Sequence, residues 1–173
     1  MKTSGKYLLF AILVFVGINN AYPRKVHNKH YKFTITLPDS MMEIQDSFNA
    51  VAGQLYYDTT NGILLLVSAR ESKFKSVKDY VDCSKEQLEQ QLRNDYGDST
   101  LTLISCDIPE YYPKKTTKLH FRVSILPYGF NTYTIYFIHH KHKDIQFSFT
   151  YKKEKEQSIQ HNIKYIMRTL YLH

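Results

Sequence analysis

The stretch TYTIYFIHHKHKDIQFSFTY, residues 132–151, decides the fold. Its first part, Thr132–His140, is apolar on both faces over most of its length, which is typical of a central strand covered on both sides. Over residues 145–151, aromatic or aliphatic side chains alternate with Gln, Ser and Thr, the period-two pattern of a strand. The short segment between the two parts suits an antiparallel connection. The stretch therefore predicts two neighbouring antiparallel strands inside a sheet.

Two further strands precede this pair. Leu119, Phe121, Val123 and Ile125 alternate with polar residues, and residues 101–108 also have the composition of a strand. Short connections join all four segments, and consecutive strands joined in this way usually pair. The second half of the chain is therefore predicted to form a four-strand antiparallel meander.

The first half supplies a hairpin and an opening strand. Residues 54–58 and 63–70 are separated by Thr-Thr-Asn-Gly, and Asn-Gly is a strong hairpin signal. Residues 30–37 alternate between apolar and polar side chains and are closed by Pro38, which predicts a half-buried strand.

Two segments have the period of a helix. The first begins with a Ser-x-x-Asp start signature at Ser76 and ends before Gly97, and the second covers residues 154–172. The apolar residues of each share one face: Val77, Val81, Leu88 and Leu92 in the first, and Ile159, Ile163, Ile166 and Leu170 in the second. We therefore expect an α+β fold, a mostly antiparallel sheet of about six to seven strands (hairpin plus four-strand meander) packed with two main helices. Another α+β sheet-and-helix roll is the alternative.

The N-terminal segment predicts export. Lys2 and Lys6 precede an uncharged run over residues 7–18, and Asn19-Asn20-Ala21 follows, which is the order of a secretory signal. The run is shorter than the ~20 apolar residues of a membrane-spanning helix. We expect residues 1–21 to be a signal peptide and residues 22–173 to be a single α+β domain, with an ordered core over about residues 31–172. The mature protein would be periplasmic or secreted, without a transmembrane span.

The charge of the predicted mature chain is mildly basic. It has 21 Lys and Arg against 16 Asp and Glu, a net charge of +5. This is well short of the dense basic stripe of a nucleic-acid binder, so no nucleic-acid partner is expected. A protein or an anionic envelope surface fits this charge better.

The two cysteines, Cys83 and Cys106, would lie in an oxidising compartment, which favours one disulfide between them. When a helix is followed by a strand that runs back in the opposite direction, the rise of each places the two cysteines at the same level along the helix axis. The direction of Cys83, about 150° from the apolar stripe of its helix, argues against the bond. A disulfide therefore requires a helix at the margin of the sheet or one that is irregular near Cys83, and two buried free thiols are the alternative.

A basic end is predicted for the sheet, because alternate turns of a meander lie at the same end. It gathers lysines and histidines of two turns: Lys114, Lys115, Lys118, His139, His140, Lys141, His142 and Lys143. Protonation of the histidines would strengthen its attraction for an anionic surface such as lipid headgroups or acidic glycan. The alternative is that these turns are simply solvated.

A metal site at the same end is not expected. His140 and His142 could share a face, but the neighbouring lysines repel a cation, and a third ligand would have to be His27, His30 or Asp144.

Catalytic signatures are missing from the sequence. It contains no nucleophile elbow, phosphate-binding loop, dinucleotide fingerprint, zinc-protease motif or C-x-x-C. His120 is placed on the wet face of its strand beside Arg122, and the acids Asp39, Glu43 and Asp46 are expected to be solvated. We therefore predict no catalytic residue and no cofactor. The expected function is an exported non-catalytic binding or assembly protein. The alternative is a small metal-dependent or hydrolytic enzyme that uses the His-rich end.

The chain also resembles the Mog1/PsbP-like family. The resemblance rests on FTITLP at residues 33–38, on SVKDYV at residues 76–81 and on a meander that ends in a helix, and it covers roughly residues 31–172. It implies an antiparallel sheet packed with helices, and accessory or protein-binding roles without catalysis. It transfers no site residue to this chain.

Overall fold

The central feature of the computed structural model is a seven-stranded antiparallel sheet of the order β3-β4-β5-β9-β8-β7-β6. The structure describes residues 23–44, 53–71, 82–109, 116–124, 129–140 and 143–173. Its elements are β1 (Arg24–Asn28), β2 (Phe33–Leu37), β3 (Met41–Ile44), β4 (Gln54–Asp58), β5 (Ile63–Glu71), α1 (Lys85–Tyr96), β6 (Thr102–Asp107), β7 (Thr116–Arg122), β8 (Thr132–His140), β9 (Lys143–Tyr151), α2 (Glu156–Arg168) and β10 (Tyr171–Leu172).

The predicted meander is confirmed, because β6, β7, β8 and β9 pair in chain order. Residues 134–138 of β8 are buried on both faces, as expected for a central strand. The predicted hairpin of β4 and β5 is also confirmed, and it docks through β5 onto the far side of β9. The fold class, an α+β sheet with two helices, is therefore the one that the sequence predicts.

A smaller sheet of the order β1-β2-β10 lies beside the large one. Its middle strand β2 is the predicted opening strand, with Phe33, Ile35 and Leu37 buried. Sequence patterning did not identify β1 or β10, and it left residues 40–49 open as a loop or short helix, whereas Met41–Ile44 form the edge strand β3. The small sheet contacts this edge, since Arg24 donates from Nη2 to the carbonyl of Met41 at 3.1 Å.

Two hydrophobic cores cover the two faces of the large sheet. In the first core, α2 and the small sheet pack on β4, β5, β8 and β9, and α2 contributes Ile159, Ile163, Ile166 and Met167. In the second core, Leu88 and Leu92 of α1 pack on β6, β7 and β8. None of the described helices is long and apolar enough to cross a membrane.

The helix boundaries differ from those predicted. Ser84 caps α1 with an extended backbone, and a capping box links it to Gln87, so the helix Lys85–Tyr96 begins after Cys83. The predicted start at Ser76, and with it Val77, Val81 and residues 76–81 of the family resemblance, lies outside the described residues. Gly97 is the C-cap, as predicted, in the left-handed conformation with φ of 64°.

The second helix is shorter than predicted, because it ends at Arg168 rather than at residue 172. Thr169 stops it by donating from Oγ1 to the carbonyl of Ile166 at 2.7 Å and accepting from the amide of Thr36 at 2.8 Å. The residues that follow then pair with β2 as β10.

Candidate functional site

Three chain segments meet at one end of the large sheet. The register pairs Leu64 with Thr150 and Thr132 with Tyr151, so the β4–β5 turn, the start of β8 and the end of β9 lie together. Beside them is a cavity of about 690 Å³, within the ~300–1,000 Å³ typical of ligand pockets. We call it the lysine-rimmed cleft, and its described lining consists of Ile44, Leu55, Tyr57, Thr59, Gly62, Leu64, Phe130, Lys152 and Lys155.

The apolar floor of the cleft follows from the strand register. Ile44 pairs with Leu55, and Tyr57 pairs with Leu64, so these side chains share one face of β3, β4 and β5. This is the face that α1 covers further along the sheet, over β6 to β8. At the outer strand β3 the side chain of Ile44 remains 39% exposed. An apolar surface is therefore presented at the edge of the sheet.

The rim of the cleft is basic. Lys152 follows β9, and Lys155 ends the short 3₁₀ helix Lys153–Lys155 that leads into α2. Lys155 donates from Nζ to the carbonyl of Asn61 at 3.3 Å, which fixes its ammonium group above the β4–β5 turn. The turn itself is held by Asp58, whose Oδ1 accepts from the amides of Thr60 and Asn61, at 2.9 Å each.

No described residue of this lining is acidic. An apolar floor with ammonium groups at its rim can bind an apolar group that carries a negative charge.

The basic end lies at the opposite end of the sheet. Thr116 at the start of β7 pairs with Ile138, and Ile138 pairs with Ile145, so the start of β7 and the β8–β9 turn share one end, as the meander requires. Lys143 is exposed there. His140 ends β8, and Lys114, Lys115, Lys141 and His142 lie outside the described residues, so their clustering stays a prediction.

Two of the residues assigned to the basic end are engaged inside the fold. The Nδ1 atom of His139 lies 2.9 Å from Oδ1 of Asp144, whose side chain is fully buried. Lys118 lies inside β7 rather than in the preceding turn and donates from Nζ to Oε1 of Gln160 at 3.4 Å. Burial lowers the pKa of Lys118. Of the residues assigned to the basic end whose side chains are described, Lys143 is the exposed one.

His120 was predicted to face water, and this is wrong, because the residue is 8% exposed beneath α2. Its Nε2 atom lies 3.3 Å from Oε1 of Glu156, and the other oxygen of Glu156 accepts from Nη2 of Arg122 at 2.8 Å. Burial lowers the pKa of His120, and the attraction of Glu156 opposes that shift. The alternation of β7 distinguishes two faces but does not show that a helix covers the polar one.

The same buried network continues into the sheet. Gln160 donates from Nε2 to the hydroxyl of Tyr151 at 2.6 Å and to the hydroxyl of Thr134 at 2.8 Å, and these two hydroxyls are 2.8 Å apart. Burial raises the pKa of Tyr151. Glu156 and Gln160 are one helical turn apart. This polar stripe beside the apolar face of α2 is the feature of the sequence from which the network could have been predicted. The network anchors α2 to β7, β8 and β9.

The predicted disulfide is not formed, and no bond joins the sulfur atoms of Cys83 and Cys106. Both cysteine side chains are partly buried against the second core. The Cys83 thiol, however, precedes the first turn of α1 and donates to Oε1 of Gln87 at 3.6 Å. Burial raises the pKa of Cys106 to about 11. Among the described residues, no three His, Cys, Asp or Glu side chains are grouped as a metal site.

Comparisons with solved structures identify the fold. The solution structure of cyanobacterial PsbP (CyanoP) from Synechocystis sp. PCC 6803 is similar over 91% of this chain and 96% of its own, with a TM-score of 0.64 and 12% identity. The Ran-binding protein Mog1p of Saccharomyces cerevisiae is similar over 88% of this chain and 96% of its own, with a TM-score of 0.59 and 9% identity. No protein-family model and no curated protein sequence matches the chain. The chain therefore has the Mog1/PsbP-like fold that its sequence resembles.

Proposed function

We propose that this chain, which has the fold of CyanoP and Mog1p, is an exported non-catalytic binding or assembly protein of the cell envelope or exterior. Its lysine-rimmed cleft takes an apolar segment of a protein partner that also carries carboxylates. The observation that carries this proposal is the combination of an apolar floor, Leu55, Tyr57 and Leu64, with the ammonium groups of Lys152 and Lys155 at the rim.

An extended peptide is the occupant that suits the position of the cleft. The cleft opens at β3, the edge strand of the large sheet, and beyond the contact of Arg24 with Met41 this edge can pair with an added peptide strand. The exposed Met42 and Ile44 lie on the same face of this strand and extend the apolar floor. Negative side chains at one end of the peptide would meet Lys152 and Lys155. A protein partner also agrees with the fold, since Mog1p is a Ran-binding protein.

Peptide selection tests this proposal. We expect random peptides displayed on phage and selected on the immobilised protein to combine Asp or Glu with Leu, Ile, Phe or Tyr. A selected peptide should bind Lys155→Glu at least about tenfold more weakly than wild type, because a charge at the rim is reversed. Lys153→Glu is the matched control, since Lys153 is exposed in the same 3₁₀ helix and is not among the residues lining the cleft.

Two outcomes would contradict the proposal. Selected peptides could show no preference for acidic residues. Alternatively, Lys153→Glu could weaken binding as much as Lys155→Glu, which would indicate that only the net charge of the protein matters.

A further inference from the structure

A second cavity lies on the outer face of the small sheet, away from the lysine-rimmed cleft. Its volume is about 320 Å³, and its described lining is His27, Asn28, Lys29, Lys32 and His173. Val26 and Leu172 pack inward on the first core, so their neighbours His27 and Tyr171 face outward. We call this cavity the two-histidine pocket. No described side chain of its lining is acidic.

Thr34 organises the two imidazoles of the pocket. Its Oγ1 lies 2.7 Å from Nδ1 of His27 and 2.7 Å from Nε2 of His173, and the two ring centroids are 5.3 Å apart. A hydroxyl has one proton to donate. When the Thr34 hydroxyl donates to one neutral ring, the other nitrogen of that ring carries an N–H. The second ring then donates its own N–H to the hydroxyl oxygen, and its far nitrogen, the one not bonded to Thr34, has no proton. One further proton then makes the far nitrogen of the second ring a donor as well.

The lysines are held beside these rings by the turn between β1 and β2. Asn28 accepts from the amide of Tyr31 at 2.6 Å, and the carbonyl of Lys32 accepts from the amide of His173 at 2.8 Å. Lys32 itself has a φ of 55°, a conformation that is uncommon for a residue with a side chain. The turn therefore places Lys29 and Lys32 around the same cavity as His27 and His173.

We infer that the two-histidine pocket binds a phosphate or sulfate group. Four basic side chains surround one cavity, and both ring nitrogens not bonded to Thr34 become donors after the uptake of one proton. Binding should therefore be tighter at about pH 5.5 than at about pH 8, the range in which histidine changes charge. Lys25, two residues before His27 on β1, and Tyr171, whose ring contacts that of His173, are further described titratable side chains on this outer face.

Titration calorimetry with inorganic phosphate and with sulfate, at constant ionic strength, tests the inference. We expect saturable binding by the wild-type protein at about pH 5.5 and at least about tenfold weaker binding by the variants His27→Gln and Lys29→Gln/Lys32→Gln. Lys25→Gln and His161→Gln are the controls, because both residues are exposed and do not line the pocket. Thermal melts of every variant identify any loss of folding. Because the two pocket variants change different residues, a folding defect in one of them leaves the other as a test of phosphate binding.

Further measurements distinguish a lipid headgroup from free phosphate as the bound anion. Vesicles of phosphatidylglycerol and phosphatidylcholine test a lipid headgroup, and their binding should fall in the same pocket variants if the headgroup is the source. Binding of phosphate that persists in both pocket variants would overturn the inference. So would stoichiometric zinc at the histidine pair without anion binding, or vesicle binding that ignores the pocket variants. Lys155→Glu should leave phosphate binding unchanged, so this result is independent of the proposed peptide cleft.

Discussion

At the scale of single residues, His120 shows how burial couples protonation to stability. Desolvation lowers its pKa in the folded protein, and the attraction of Glu156 opposes this shift. The carboxylate of Glu156 contacts both His120 and Arg122. The unfolded chain, with an ordinary histidine pKa of about 6.5, therefore takes up a proton first as the pH falls. The stability contributed by neutral His120 is complete above that value and is lost between it and the lower pKa of the folded state.

The first prediction follows from this sign. The free energy of unfolding of the wild-type protein should fall between pH 7.5 and 5.5, and the variant His120→Gln should lose less over the same interval. Urea denaturation at several pH values measures the difference. The control is His161→Gln on the exposed side of α2, which should follow the wild type. Parallel curves for His120→Gln and wild type would contradict the prediction.

The cysteines give the second prediction at this scale. Because burial raises the pKa of Cys106 to about 11, little of its thiolate is present near neutral pH. We expect iodoacetamide to alkylate Cys106 more slowly than Cys83 in the folded protein, and both cysteines to react once the protein is denatured without reductant. Mass spectrometry of proteolytic fragments reports each site. A denatured protein that takes up no label until reductant is added would show a disulfide instead.

These residue-level features were the hardest to predict from sequence. The alternation around His120 was recognised correctly, but the cover provided by α2 depends on Glu156 and Gln160, more than thirty residues away. The start of α1 after Ser84, which turns the Cys83 thiol toward Gln87, depends on a local cap and not on the apolar stripe.

At the scale of elements, α1 depends on its caps, because only Leu88 and Leu92 of its residues are buried. The reciprocal bonds of Ser84 and Gln87 satisfy two amides that would otherwise have no partner at the start of the helix.

The third prediction is that Ser84→Ala lowers the free energy of unfolding by about 1 kcal/mol, the usual effect of removing such a cap. Chemical denaturation measures it, with the exposed Ser99→Ala as the matched control. An equal loss for both variants would mean that the capping box contributes nothing specific.

The strands that sequence patterning predicted either alternate clearly, as β2 and β9 do, or lie beside a hairpin signal, as β4 and β5 do. The strands it missed, β1, β3 and β10, have five residues or fewer. Strands β1 and β10 pair with β2, and β3 pairs with β4. Because their pairing depends on these partner strands, the residues of β1, β3 and β10 themselves contain little indication of strand structure.

At the scale of the whole molecule, the meander and the hairpin were predictable because short connections favour pairing of neighbouring strands, whereas the pairing of β5 with β9 and the separate small sheet were not predicted. The sites were not predictable either, since the lysine-rimmed cleft combines β3, β4, β5, Phe130 and the segment after β9. The two-histidine pocket likewise needs His173 beside His27, two residues that are remote from each other in sequence. No local motif marks either cavity.

The fourth prediction concerns the proposed export. Protein purified from its native source should lack residues 1–21 and begin at Tyr22, as a cleaved signal peptide requires. Intact mass and N-terminal sequencing measure this directly. A native protein that retains Lys2 and Lys6 would contradict export through a cleaved signal.

The central claim is that the lysine-rimmed cleft is the binding site for a partner segment. Two-dimensional NMR of the protein, titrated with a selected acidic and apolar peptide, tests this claim. The largest amide shifts should cluster at Leu55, Leu64, Phe130 and Lys155, and they should disappear in Lys155→Glu but persist in Lys153→Glu. Shifts that cluster instead around Lys143 or the two-histidine pocket, with those of the cleft unchanged, would contradict it.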